Sequence, residues 1–343
     1  MAKTARALVA LIVAVSGLLV ATGPEGAADP APVRILLYGD SMTQGSGGDW
    51  TWRYRLWQSL TAASTSFDFV GPRNDLYTYG RWTLGNDEYK GGAFDRDVAA
   101  VAGMTMTAPW WTVEALQSEF QPDVVVGYIG INDLVKGIAT ADQLVQDWRD
   151  QIAAARAVNP TVAFVLVPLP HTWLGPEIQQ YDDGLAALAA ELDTPESRVV
   201  ATAVPAFSEY ADTYDKAHMT ASGERKVATV VTEALAGLGI GTGNTGWQPD
   251  PVYSWVWAPT PTLSVAGADI TVTWPAVDYA SSEWVRLTDR TTGATGVVRW
   301  VTGTTYTFTG TPGHTYRVNL SPAKGFNLTG QTSYPRDITV PAT

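Results

Sequence analysis

The chain has 343 residues, 45% of them hydrophobic and 16% charged, with a formal net charge of −12 and no cysteine. That length and apolar content exclude a disordered chain and allow two domains with sizeable cores. An acidic chain without a basic run is a poor partner for nucleic acid, and the lack of cysteine excludes disulfides, thiolate metal sites and a cysteine nucleophile.

Lys3 and Arg6 precede an apolar stretch, Ala7 to Ala21, followed by small and polar residues to Asp29. About 15 apolar residues are short for a membrane span and suit the core of a signal peptide. The expectation is therefore a signal peptide over 1–28, cut after Ala28 or Ala21, a secreted product, and no membrane span after cleavage. An uncleaved N-terminal anchor is the alternative.

From Pro32 to about 238 strand-like and helix-like runs alternate. The predicted strands are Val33–Tyr38, Phe67–Val70, Asp123–Ile129, Val162–Val167 and Arg198–Thr202, short and rich in Val, Ile and Phe. Such runs suit parallel strands covered on both faces. In Gln143–Arg156, Leu144, Trp148, Ile152 and Ala155 recur at helical spacing, and Tyr181–Leu192 and Ala221–Leu235 read similarly. The alternation predicts a three-layer α/β/α sandwich around a parallel central sheet.

Residues 239–261, rich in Gly, Pro, Thr and Trp, read as a linker. The spacing Gly241, Gly243, Gly246 matches a dinucleotide fingerprint formally, but it follows a helix and precedes prolines, so no nucleotide cofactor is expected. From Thr262 to Thr343 the period changes to two. Ile270–Trp274, Val297–Val301, Thr305–Thr309 and Thr315–Asn319 alternate between turn residues, which predicts a small all-β sandwich.

Three histidines bound the chemistry: His171, His218 and His314. Ser41 follows the first strand in Gly39-Asp40-Ser41, at the turn into the next element, where it reads as either a nucleophile or a helix N-cap. His218 has Asp215 three residues before it, a spacing that lets a carboxylate fix the imidazole tautomer. His171, just after a strand, is placed to line the same cleft, and His314 falls in a loop of the β module. Asn132, in Gly130-Ile131-Asn132-Asp133, lies at the carboxyl edge of the predicted sheet, where its amide can donate to an oxyanion. Asp133 reads as a cap for the following helix. Gly103 can offer a bare backbone N–H. No His-Glu-x-x-His, clustered His/Asp set or phosphate loop is present, so neither metal nor cofactor is expected.

Taken together, Gly-Asp-Ser at 39–41, Gly103, Gly-x-Asn-Asp at 130–133 and Asp-x-x-His at 215–218 resemble the motif blocks of the SGNH, or GDSL, hydrolase superfamily, in the family order. The resemblance spans about residues 33–236. It implies a flavodoxin-like sandwich and an esterase in which Ser41 is the nucleophile and His218 the base, oriented by Asp215. The implied oxyanion hole is the Ser41 N–H, the Gly103 N–H and the Asn132 side chain. Met42, Lys216 and Met219 depart from residues common in those blocks, without removing a reacting atom. Pro312-Gly313-His314-Thr315-Tyr316 resembles the tyrosine corner of fibronectin type III modules, with Trp274 on its second strand.

The implied substrate is an acyl ester. Export and a fibronectin-like module resemble secreted polysaccharide-degrading enzymes, so an acetylated glycan is expected, with polysaccharide contact through the module as a further expectation. Trp52, Trp57, Trp110, Trp111 and Trp173 are candidates to border the cleft. A lysophospholipase, lipase or thioesterase-like enzyme is the alternative, and a glycan-binding surface protein on a hydrolase scaffold is the non-enzyme alternative.

Overall fold

The computed structural model describes residues 31–243, 258–277, 280–325 and 328–342. The expected signal peptide and most of the expected linker lie outside the described residues. The chain opens with β1 (Val33–Gly39), the short helix α1 (Ser41–Gln44), α2 (Trp52–Ala62), β2 (Phe67–Val70), the hairpin β3 (Leu76–Thr78) and β4 (Thr83–Asn86), and β5 (Ala99–Ala100). It continues through α3 (Val113–Phe120), β6 (Val124–Tyr128), α4 (Ile131–Val135), α5 (Ala141–Val158), β7 (Ala163–Leu166), α6 (Pro176–Leu192), β8 (Val199–Ala201), α7 (Glu209–Asp212) and α8 (Ala221–Gly237).

The central sheet is parallel, in the order β2-β1-β6-β7-β8, with β5 paired to the end of β1. β1 and β6 are each flanked by strands on both sides and carry side chains buried on both faces, hence their continuous apolar sequences. α2 packs on α8, and α5 packs between α3 and α6. Trp148 of α5 lies edge-on to Tyr38 of β1, and its indole N–H donates to the Tyr181 hydroxyl of α6 at 2.8 Å. The carboxyl ends of β1 and β6 thus stand side by side, in the register Gly39 opposite Tyr128. That edge is where open α/β sheets bind ligands.

All five predicted strands and the three predicted helices form, with ends shifted by a few residues. The sequence reading did not assign α2, α3 or the β3–β4 hairpin. The hairpin is a local antiparallel excursion outside the α/β alternation, and it packs against the candidate site.

The C-terminal part forms two antiparallel sheets. One is β13-β10-β9, from β9 (Thr262–Ala266), β10 (Asp269–Thr273) and β13 (Thr305–Thr309). The other joins β12 (Thr295–Val301), β11 (Ser282–Asp289) and β14 (Thr315–Lys324), with β15 (Leu328–Thr329) and β16 (Arg336–Thr339) on β14. Val272, Trp274, Val285, Val318 and Leu320 form its core. The Thr311 N–H donates to the Tyr316 hydroxyl at 2.9 Å, the tie expected of that corner. β14 runs five residues past the predicted Thr315–Asn319, and its last residue, Lys324, reaches the α/β part.

Burial sets the pH dependence of stability. It pushes the carboxyls of Asp40 and Asp182 up to about 7 and that of Glu283 up to about 8. In the unfolded chain these groups ionise near pH 4. Between the two values the folded state holds more protons, so stability falls as pH rises from about 4 through 7 to 8. Buried His171, pushed down by burial to about 4, opposes this trend only up to about pH 6.5. The thermal midpoint is therefore expected to drop steadily between about pH 6.5 and 8.5, and Glu283→Gln should flatten the upper part of that slope. Scanning calorimetry across this range checks both, and a plateau above pH 6.5 would contradict the assignment.

Candidate active site

Ser41 is the first residue of α1, a helix of only four residues. The N-cap is Asp40, whose side chain accepts from the Met42 N–H at 3.0 Å, so the capping role considered for Ser41 falls to its neighbour. A Cβ on Gly39 would lie 2.2 Å from Thr43 Oγ1 and 2.4 Å from the Tyr128 carbonyl, which explains a glycine at the strand-to-helix turn. Arg53, fully buried, donates to the Thr43 and Gln44 carbonyls at 2.9 Å and so supplies partners that so short a helix lacks.

The loop of His218, the expected base, follows α7. Tyr214 N–H donates to the His218 carbonyl at 2.9 Å, closing a tight turn. Inside it, Lys216 takes a left-handed φ of 77°, a conformation that glycine adopts more readily than lysine. His218 Nδ1 lies 2.6 Å from Asp215 Oδ2, and His218 Nε2 lies 2.9 Å from Ser41 Oγ. An ionised Asp215 accepts only, so Nδ1 carries the proton and Nε2 accepts from the serine hydroxyl.

Asp215 takes four hydrogen bonds in all. Oδ1 accepts from the Ala217 and His218 N–H groups, at 3.1 and 2.7 Å, and Oδ2 accepts also from the Tyr79 hydroxyl at 2.8 Å. Burial opposes its charge, but the nearby His218 and these hydrogen bonds outweigh burial and hold the carboxyl down at about 2. Linkage makes this stabilising by on the order of 2 kcal/mol, present above about pH 4 and lost as pH falls toward 2.

Gly103 has φ +83°, in a turn where the Met104 N–H donates to the Val101 carbonyl at 3.0 Å. The Ala102 N–H of this turn donates to Gln44 Oε1 at 2.8 Å, tying it to α1. Asn132, in α4, points its amide into the same region: Nδ2 donates to the Met104 carbonyl at 3.1 Å and, at 3.4 Å, to Asp40 Oδ2. Ser41, Asp215 and His218 are thus brought into one hydrogen-bonded line, with Asn132 and the Gly103 turn anchored beside it.

Several expectations change. His171 is completely buried and does not line a cleft; its Nε2–H donates to the Ala217 carbonyl at 2.8 Å and braces the base loop from below. Trp173 braces the same loop, its indole N–H donating to the Lys216 carbonyl at 2.9 Å. Asp133 does not cap the helix after it. It accepts from the Met106 N–H, the Thr107 N–H and the Thr107 hydroxyl, at 2.9, 3.2 and 2.8 Å, and so fastens the segment after Gly103. Trp52 is core, Trp57 packs on Tyr54 and Phe94, Trp111 packs against the core, and Trp110 is exposed beside it. His314 pairs with Asp289 in the β module.

The sequence reading missed an aromatic cage. The rings of Tyr77, Tyr79, Trp82 and Tyr214 all lie 5.7–5.8 Å from the His218 ring. Tyr77 and Tyr214 are buried, whereas Trp82 is 53% exposed. Three of the four come from the unassigned hairpin, and nothing in its spacing links it to residue 218. A recess of about 10 Å³ beside Ser41 and His218 is lined by Met42, Gly45, Asp49, Tyr214, Met219 and Glu224. A larger cleft of about 550 Å³ separates the hairpin from the β module, with Tyr79, Arg81, Glu88, Trp274 and Glu283 among its walls. Among the described residues no group of three or more His, Asp or Glu side chains is arranged to hold a metal, and no helix is long and apolar enough to cross a membrane.

A parallel α/β sandwich with hydroxyl, imidazole and carboxylate aligned at the carboxyl edge of its sheet defines the class of this protein: an ester hydrolase. The model of the GDSL-like lipase/acylhydrolase family matches residues 37–226, and the chain belongs to that family. Among solved structures, an acetyl esterase mutant with acetate ion is 25% identical with a TM-score of 0.51, the match covering 60% of this chain and 97% of that one. A carbohydrate esterase of family 3 from Talaromyces cellulolyticus is 24% identical with a TM-score of 0.50, over 60% of this chain and 97% of that one, and shares the fold. No curated protein matches the chain.

Asp133→Ala removes the acceptor of three hydrogen bonds and leaves the buried Met106 N–H unpaired, at a cost of about 1–3 kcal/mol. The expected outcome is that loss in denaturant unfolding, with kcat falling roughly tenfold or more as the Gly103 turn loosens. Unchanged kcat in the folded variant would show that the turn takes no part in turnover.

Proposed function

We propose that the protein is a secreted carbohydrate O-acetyl esterase acting through an acyl-enzyme. Ser41 Oγ attacks the ester carbonyl while His218 Nε2 takes its proton and Asp215 steadies the resulting imidazolium. The oxyanion receives hydrogen bonds from the Ser41 and Gly103 N–H groups and from Asn132 Nδ2. His218 returns the proton to the leaving sugar oxygen. Water, deprotonated by the same imidazole, then attacks the acyl carbonyl, releasing acetate and restoring Ser41. The observation that carries this reading is the single imidazole bridging Ser41 and Asp215 at 2.9 and 2.6 Å.

The recess beside Ser41, about 10 Å³, is too small for a long acyl chain, which supports a short one. The acetate found with the similar acetyl esterase supports the same choice. Trp82, half exposed and adjacent to His218, is a flat apolar face of the kind on which sugar rings stack. The large cleft between hairpin and module supports polysaccharide contact there. Export rests on the basic and apolar pattern of residues 1–28. The domain reading keeps 32–238 as the catalytic unit, 239–261 as linker and 262–343 as the module.

Ser41→Ala is expected to lower kcat on an aryl acetate by roughly a thousandfold or more. Near-normal turnover would reject Ser41 as nucleophile. The wild type should release acetate from acetylated oligosaccharides and favour acetyl over dodecanoyl aryl esters in kcat/KM. Faster hydrolysis of the dodecanoyl ester would move the protein to the lipolytic reading.

A further inference from the structure

We infer that Lys324, on the C-terminal module, is a positioning residue for the Ser41–His218 pair, so that the module completes the active site. The inference rests on the catalytic reading above. Lys324 ends β14, and its side chain leaves the module to enter the α/β part, where only 2% of it remains exposed. Nζ donates to Asp49 Oδ1 at 2.6 Å and to the Gly47 carbonyl at 3.0 Å, and it lies 4.9 Å from the centre of the Tyr214 ring. Burying an ammonium costs several kcal/mol unless it is paired, and this one has a carboxylate, a carbonyl and an aromatic face. A module that only spaced the enzyme from a surface would not require such an arrangement.

The partners of Lys324 belong to the two segments that must meet for catalysis. Gly47 and Asp49 follow α1, whose first residue is Ser41. Tyr214 belongs to the base loop. A second link joins the same segments: the Tyr214 hydroxyl lies 3.2 Å from Ser46 Oγ, and the Ser46 hydroxyl and N–H both donate to Asp49 Oδ2, at 2.9 and 2.8 Å. The ammonium thus closes a ring of contacts running Asp49, Ser46, Tyr214 and back. The Tyr214 ring in turn stacks on the His218 ring, 5.8 Å away and inclined by 16°. A shift of Tyr214 is passed to the imidazole that must keep its bond to Ser41 Oγ. The next residue is docked as closely, since a Cβ on Gly325 would lie 2.0 Å from the Tyr214 carbonyl oxygen.

The test uses the full chain with Lys324→Met, Lys324→Arg and the double variant Asp49→Asn/Lys324→Met, which removes both partners of the ion pair. Measurements are kcat and KM on an aryl acetate, the rate of Ser41 labelling by a fluorophosphonate, and the thermal midpoint. For Lys324→Met the expected result is a fall of about tenfold or more in kcat and in labelling rate, with KM within about twofold. Lys324→Arg, which keeps the ammonium's charge, should lose less kcat and labelling rate than Lys324→Met, and the double variant should keep the low kcat. Wild-type kcat and labelling in the folded variants, with only the thermal midpoint lowered, would reduce Lys324 to an interface contact and overturn the inference, while an inactive Ser41→Ala left the catalytic reading standing. An active Ser41→Ala would remove that reading and this inference together.

Discussion

The site depends on one buried carboxylate kept charged. Asp215 lies where burial alone would favour its neutral form, and four hydrogen bonds with the adjacent imidazole reverse that preference. Two of the donors are backbone N–H groups of its own loop, so the charge is stabilised only while the loop keeps its turn. That turn in turn requires Lys216 in a left-handed conformation, His171 beneath Ala217 and Trp173 against Lys216. Electrostatics and loop shape are therefore one constraint: loosening the loop discharges Asp215, and discharging Asp215 releases the imidazole.

The side that carries Ser41, the proposed nucleophile, is organised differently. Ser41 owes its place to the central strand β1, paired on both sides, which delivers it to the sheet edge with little freedom. The neighbouring strand β6 delivers Asn132 to the same edge. What must be added is local: Arg53 for the carbonyls of α1, and Gln44 and Asp133 for the turn and segment around Gly103. Each is a polar side chain spent on backbone groups that an irregular segment would otherwise leave unpaired. Asp40, at the same edge, is raised because burial removes water from its carboxyl, against the opposing hydrogen bond from the Met42 N–H.

The aromatic cage joins these halves. It surrounds the imidazole with rings from the hairpin and the base loop, leaves one face at Trp82 open, and rests through Tyr214 on the ammonium of Lys324. The small β module thereby reaches the loop of His218 through Lys324 and Gly325.

Ser41, Asn132 and the pair Asp215 and His218 stood out in the sequence as candidates because each sits in a short motif at the end of a strand or in a tight turn, whereas Gly103 entered only through the family resemblance; the structure brings these candidates to one edge of the sheet. The sheet was legible too, since strands buried on both faces must be continuously apolar, and the amphipathic helices carried their own period. The roles of Asp133 and His171, the hairpin cage and Lys324 were not. Asp133 has its partners more than 25 residues away, and Lys324 meets Asp49 across 275. A carboxylate or an ammonium has the same local signature whether it faces water or a buried partner. Only tertiary packing, by removing water and bringing distant backbone groups within bonding range, decides which.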